Sequence, residues 1–131
     1  MGQQQLLLIV LSVIIIGIAI VIALTLIEEN QVESNKDGLY ADNMNIAGLA
    51  QQYYIRLKAL GGGEFSFVGF NIPTGLQETG NGYYSQSEAS SDKILITGIG
   101  KVQDSDGKVY RVVTQVTAND ITTVSVTKVS P

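Results

Sequence analysis

The sequence predicts an α+β fold in which a long N-terminal apolar helix continues into an amphipathic helix packed on a C-terminal antiparallel β-sheet. Three observations carry this. Leu6 through Ile27 is a run of 22 residues with no charge and no Asn or Gln. Apolar residues then recur at three- and four-residue steps until Gly61, Gly62 and Gly63 punctuate the chain. From Lys93 onward, β-branched stretches alternate with short Asx/Gly turns. A chain of 131 residues has room for one domain and an appendage. The expected division is a hydrophobic helix at 1–27 and a head at 28–131, the head comprising helix 28–60, a Gly-rich linker 61–92 and a sheet 93–130.

The apolar segment comes first. Its Leu, Ile and Val positions are Leu6, Leu7, Leu8, Ile9, Val10, Leu11, Val13, Ile14, Ile15, Ile16, Ile18, Ile20, Val21, Ile22, Leu24, Leu26 and Ile27, with Gly17 among them and Ser12 and Thr25 as its polar side chains. A helix rises about 1.5 Å per residue, so the segment covers about 33 Å, enough for a hydrocarbon core of about 30 Å. Only a helix lets a single segment satisfy its own backbone groups in lipid. A core helix of a globular domain would carry a polar stripe, which is missing here. A cleaved secretory signal would have a basic stretch before the apolar run and a small-x-small site after it. The run is instead flanked by Gln3, Gln4 and Gln5 and by Glu28, Glu29 and Asn30, so the segment is expected to be retained. The acidic, Lys-poor C-terminal flank places the head outside the membrane.

Past Glu29 the apolar residues fall on one stripe, Ile46, Leu49, Ala50, Tyr53, Leu57 and Leu60, with Asn43, Gln51, Gln52, Arg56 and Lys58 mostly off it. A helix to about Ala59 follows, closed by the three glycines. Asn35, Lys36, Asp37 and Gly38 favour turns over helix interiors. They admit one bent helix or two helices joined by a loop, the single bent helix being preferred. In the head, strands are expected at 93–102, 108–117 and 121–129, joined by turns at 104–107 and 118–120 in a meander, with a shorter fourth strand around Tyr83, Tyr84 and Ser85. Val124 and Val126 alternate with Thr123, Ser125 and Thr127. One face of the sheet should bury the helix stripe, with Phe65, Phe67 and Phe70 filling the interface.

Composition narrows the chemistry. The net charge of −4 disfavours nucleic acid as a partner. There is no Cys and no His, which removes disulfides, thiolate and imidazole metal sites and any nucleophile or base built on those groups. Asp104, Asp106 and Gly107 are too short a run for a twelve-residue calcium loop and read as a hairpin turn. The glycine clusters have neither the spacing nor the strand-to-helix context of a nucleotide loop. No catalytic residue, cofactor or metal site is expected.

The single apolar helix near the N-terminus, the amphipathic continuation with Ala47, Ala50, Tyr53 and Tyr54, the Gly-rich link and the terminal antiparallel sheet together resemble a type IV pilin. The resemblance spans the whole chain in architecture and is most specific in about the first sixty residues. It implies a homopolymer: a helical filament with the apolar helices bundled at its centre and the sheets toward solvent. It also implies a precursor held in the cytoplasmic (inner) membrane, export by pilus assembly machinery, and residence as a fimbrium on the cell surface. Pilins carry a Glu near the mature N-terminus, and Gln5 stands in that place. Gln3, Gln4 and Gln5 can instead hydrogen-bond between protomers through their amides. Gly17 is a candidate weak point of the helix or a site of close helix packing. The leading functional expectation is a major filament subunit. The alternatives are a pseudopilin or minor pilin of a secretion or DNA-uptake machine, and a membrane-anchored extracytoplasmic binding module.

Overall fold

The computed structural model describes residues 2–131. Its elements run α1 (Gly2–Ile55), a 3₁₀ turn (Lys58–Leu60), α2 (Thr74–Gln77), and strands β1 (Gly82–Ser87), β2 (Lys93–Gly100), β3 (Val109–Thr117) and β4 (Ile121–Val129). The strands form one antiparallel meander in the order β1-β2-β3-β4. The fold is therefore α+β, a long helix of which the second half lies on a four-stranded sheet.

Helix α1 is continuous for 54 residues, about 81 Å at the helical rise. The single helix preferred for Asn35–Gly38 is what forms, the alternative of two helices joined by a loop does not, and tertiary contacts explain why. Asn35 is buried and its Nδ2 donates to the Asn81 carbonyl at 2.7 Å. Gly38 lies against the Asn81 side chain, where an added Cβ would come within 2.7 Å. Residues that favour turns locally are here docking points for the loop before β1.

The buried positions of α1 are Val32, Asn35, Leu39, Asn43, Ile46, Ala47 and Ala50, a stripe of three- and four-residue steps facing the sheet. Ile46 and Ala50 were expected on it; Asn43 was not. Its side chain is fully buried, with Nδ2 donating to the Val112 carbonyl at 3.2 Å and to Thr114 Oγ1 at 3.1 Å. Leu49 and Tyr53 are half-buried against the core. From the sheet come Tyr84, Ile94, Ile96, Val112 and Val116, and from the link Phe67, Phe70 and Ile72. Phe65 does not join them. It is exposed, touching Tyr54 edge-on with centroids 5.8 Å apart.

The helix ends at Ile55 rather than near Ala59, and Leu57 and Leu60 are exposed instead of extending the stripe. The glycine loop closes it. The amides of Gly63, Glu64 and Phe65 donate back to the carbonyls of Tyr53, Arg56 and Tyr54 at 2.7–2.9 Å, giving the carbonyls at the helix end the donors they need. That return requires glycine: a Cβ on Gly63 would stand 1.9 Å from the Ser66 carbonyl oxygen.

The sheet begins at Gly82, inside the segment read as linker, and the expected short strand there is β1. Strand β2 stops at Gly100, and β3 starts at Val109. The hairpin at 104–107 is an Asx turn in which Asp104 Oδ1 accepts from the amides of Asp106 and Lys108, with Gly107 at φ +75°. Strand β4 carries a register shift opposite Val113 and Thr114, and Val124 and Val126 are exposed because α1 covers β2 and β3.

Candidate assembly surface

The glycine content of β2 brings the helix close to the sheet and fixes where the apolar segment leaves the head. Gly98 and Gly100 lie under Asn43 and Asn35, and a Cβ on Gly100 would fall 2.2 Å from Asn35 Oδ1. Leu39, between the two asparagines, reaches over Gly82 and Gly100. The Oδ1 atoms of Asn35 and Asn43 have no conventional donor partner, and each rests above a glycine Cα. A second polar anchor lies at the β1 edge. Asp42 Oδ2 accepts from Thr79 Oγ1 at 2.8 Å, from Asn81 Nδ2 at 3.0 Å and from the Tyr84 hydroxyl. Burial works to raise the Asp42 carboxyl, but the bonds from Tyr84, Asn81 and Thr79 outweigh it and hold the group below its ordinary value. Burial, and then the bond to Asp42, push the Tyr84 phenol upward.

Before Val32 every described residue of the helix is exposed. The Leu, Ile and Val side chains from Leu6 to Ile27 each keep at least half of their surface exposed, and none of this stretch is buried within the chain. No Cβ neighbour lies within 4 Å of Gly17, and the helix runs through it unbroken. The two polar side chains of the stretch are satisfied internally: Ser12 Oγ donates to the Leu8 carbonyl at 2.7 Å and Thr25 Oγ1 to the Val21 carbonyl at 3.0 Å. The segment therefore presents an apolar surface on all sides. It is long and apolar enough to cross a membrane. Gln3, Gln4 and Gln5 lie exposed on the first turns of the same helix.

This surface favours apolar surroundings. Taking about 0.3–0.6 kcal/mol for each of its seventeen Leu, Ile and Val residues, the segment favours a bilayer over water by roughly 5–10 kcal/mol. Transfer from lipid into a bundle of similar helices is nearly neutral in hydrophobic terms, so packing contacts decide between the two.

At the end of the head next to the apolar segment, α1 and the β2–β3 turn enclose a notch of about 650 Å³ lined in part by Glu28, Glu29, Glu33, Asp104, Asp106 and Lys128. Hydrogen bonds from the Lys108 amide and the Lys128 ammonium hold the Asp104 carboxyl low. At the distal end Ile55, Leu57, Leu60, Phe65 and Val68 form an exposed apolar tip. Leu57 and Leu60, expected on the buried stripe, and Phe65, expected in the interface, are exposed here instead. Sequence reasoning also missed the Asn35–Asn43 pair, although the four-residue spacing of Asn35, Leu39 and Asn43 was a usable signal for one helix face. Comparison with family models, with curated proteins and with solved structures finds no match for this chain.

Proposed function

We propose that this chain is the structural subunit of an extracellular type IV pilus-like filament that polymerises through its N-terminal apolar helix. One observation carries the reading: the head closes its own core with residues 32 onward, while the whole surface of residues 6–27 is left uncovered on the same unbroken helix. A segment of this kind has two low-energy surroundings, lipid and copies of itself. In the membrane it holds the precursor, with the head on the extracytoplasmic side. In the filament it packs against its neighbours, with assembly machinery moving it from one to the other. The internal bonds of Ser12 and Thr25 suit both states, since neither side chain must find a partner when its surroundings change. Gln3, Gln4 and Gln5 supply amide contacts between protomers near the start of the bundle.

The role is structural rather than catalytic. The test is shearing of surface appendages from producing cells, negative-stain imaging, and mass spectrometry of the filament protein. The expected result is thin filaments in which this chain is the dominant component. Recovery of the chain only from the membrane fraction, with ligand binding that survives removal of residues 1–27, would favour a tethered binding module. Presence at trace abundance would favour a pseudopilin or minor pilin.

A further inference from the structure

The two ends of the head are unlike, and the difference is complementary. Among the described residues, ion pairs engage Glu33 with Lys36 and Asp104 with Lys128. Glu28, Glu29 and Asp106, at the notch, take part in no ion pair, so the base of the head carries unpaired negative charge. At the distal tip, Arg56 and Lys58 are exposed and likewise outside any ion pair, and they flank Leu57. The tip is apolar as well as net basic, with Glu64 in the return loop offsetting one of its two cations: Ile55, Leu57 and Leu60 are 67%, 54% and 70% exposed. The base is acidic and directly adjoins the exposed end of the apolar segment at Leu24, Leu26 and Ile27. Basic-plus-apolar at one end thus matches acidic-plus-apolar at the other.

We propose that the distal tip of one head docks against the basal notch of a second copy, with Arg56 and Lys58 facing Glu28 and Glu29 and Leu57 and Leu60 against the end of that copy's apolar segment. The occupant is a second copy because this chain itself carries both halves of the match, in charge and in apolar surface. With copies parallel, the contact sets their stagger. Glu28 and Ile55 are 27 residues apart on one continuous helix, which is about 40 Å at the helical rise. Each head would then seat on the shoulder of another copy about 40 Å along the same direction. Closure would cover the tip, which is left exposed among the described residues, and would pair Arg56 and Lys58 with Glu28 and Glu29. Their proximity to apolar surface reduces the solvent screening that weakens exposed pairs.

The inference rests on the filament reading of the apolar helix, and the test separates the two. The chain has no cysteine, so introduced thiols report without background. Full-length chain carrying Glu29→Cys and Leu57→Cys is assembled and mildly oxidised. Disulfide-linked dimers, trimers and a longer ladder on non-reducing gels are expected, with no ladder from either single substitution. Filaments that form without a ladder overturn the docking and leave the filament reading standing. A wild-type chain that forms no filaments overturns both. A charge swap gives an independent reading. Arg56→Glu with Lys58→Glu should reduce filament yield several-fold, and adding Glu28→Lys with Glu29→Lys should restore it. Yield unchanged by the first pair, or not restored by the second, contradicts the proposal.

Discussion

The two halves of α1 share one backbone and obey opposite rules. From Leu6 to Ile27 the side chains are apolar on every face and none is buried; from Val32 to Ala50 they are mixed, and seven are buried on a single stripe. The first half is specified by composition alone, since any rotation about its axis presents the same kind of surface. The second is specified by position, through Leu39 over two glycines and Asn43 between Val112 and Thr114. Composition suffices where the partner is a solvent or a sheath of similar helices. Position is needed where the partner is one particular sheet.

Breaking the first half should have the largest effect. Ile14→Lys combined with Val21→Lys puts two charges on the apolar segment, each unfavourable by about 2.5–3.5 kcal/mol near a bilayer centre. Membrane retention and filaments should both be lost, while the thermal transition of the head is unchanged. A single substitution in the second half should do the reverse. Leu39→Ala removes a fully buried side chain, at a cost of about 2–5 kcal/mol. The midpoint of head unfolding should drop, and membrane partitioning of the apolar segment should stay as it was.

Titration sharpens the contrast, because the resolved carboxylate anchor between helix and sheet edge is Asp42. Its folded-state value is depressed, so its contribution is complete above the unfolded value of about 3.9 and is lost as pH falls through the folded value. Unfolding followed by circular dichroism should show stability declining below about pH 4, and Asp42→Asn should flatten part of that decline. At neutral pH the same substitution should cost about 1 kcal/mol through weaker bonds to Tyr84, Asn81 and Thr79. The smallest effect belongs to the exposed pair of Lys36 and Glu33, three residues apart on the helix. Lys36→Ala should leave the unfolding midpoint nearly unchanged, because solvent screens such pairs.

The same contrast governs what could be read from the sequence. The apolar helix was legible in the sequence, as were the three later strands of the meander to within a few residues, since periodicity and turn chemistry are local signals. The fourth strand was visible only as Tyr83–Ser85 because Gly82 and Gln86 give no strand signal of their own; the register with β2 defines its ends. Asn35 and Gly38 leave a kink or a loop open in the sequence because their partner, Asn81, lies more than forty residues away. Asn43 looked like a solvent residue for the same reason, its partners being 69 and 71 residues distant. Leu57 and Leu60 kept the helical period but not the helix, since the return of Gly63, Glu64 and Phe65 onto the last turn removes them from the stripe. The asymmetry between the ends of the head could not be read at all before the helix was known to be unbroken between Glu28 and Ile55.

The direct measurement is the state of purified full-length chain after detergent is withdrawn, followed by sedimentation and by hydrogen exchange over residues 6–27. The account predicts rapidly sedimenting polymers in which those amides are protected only after assembly, with protection in the head unchanged. A monomer that stays in solution with residues 6–27 already protected inside its own fold would contradict it.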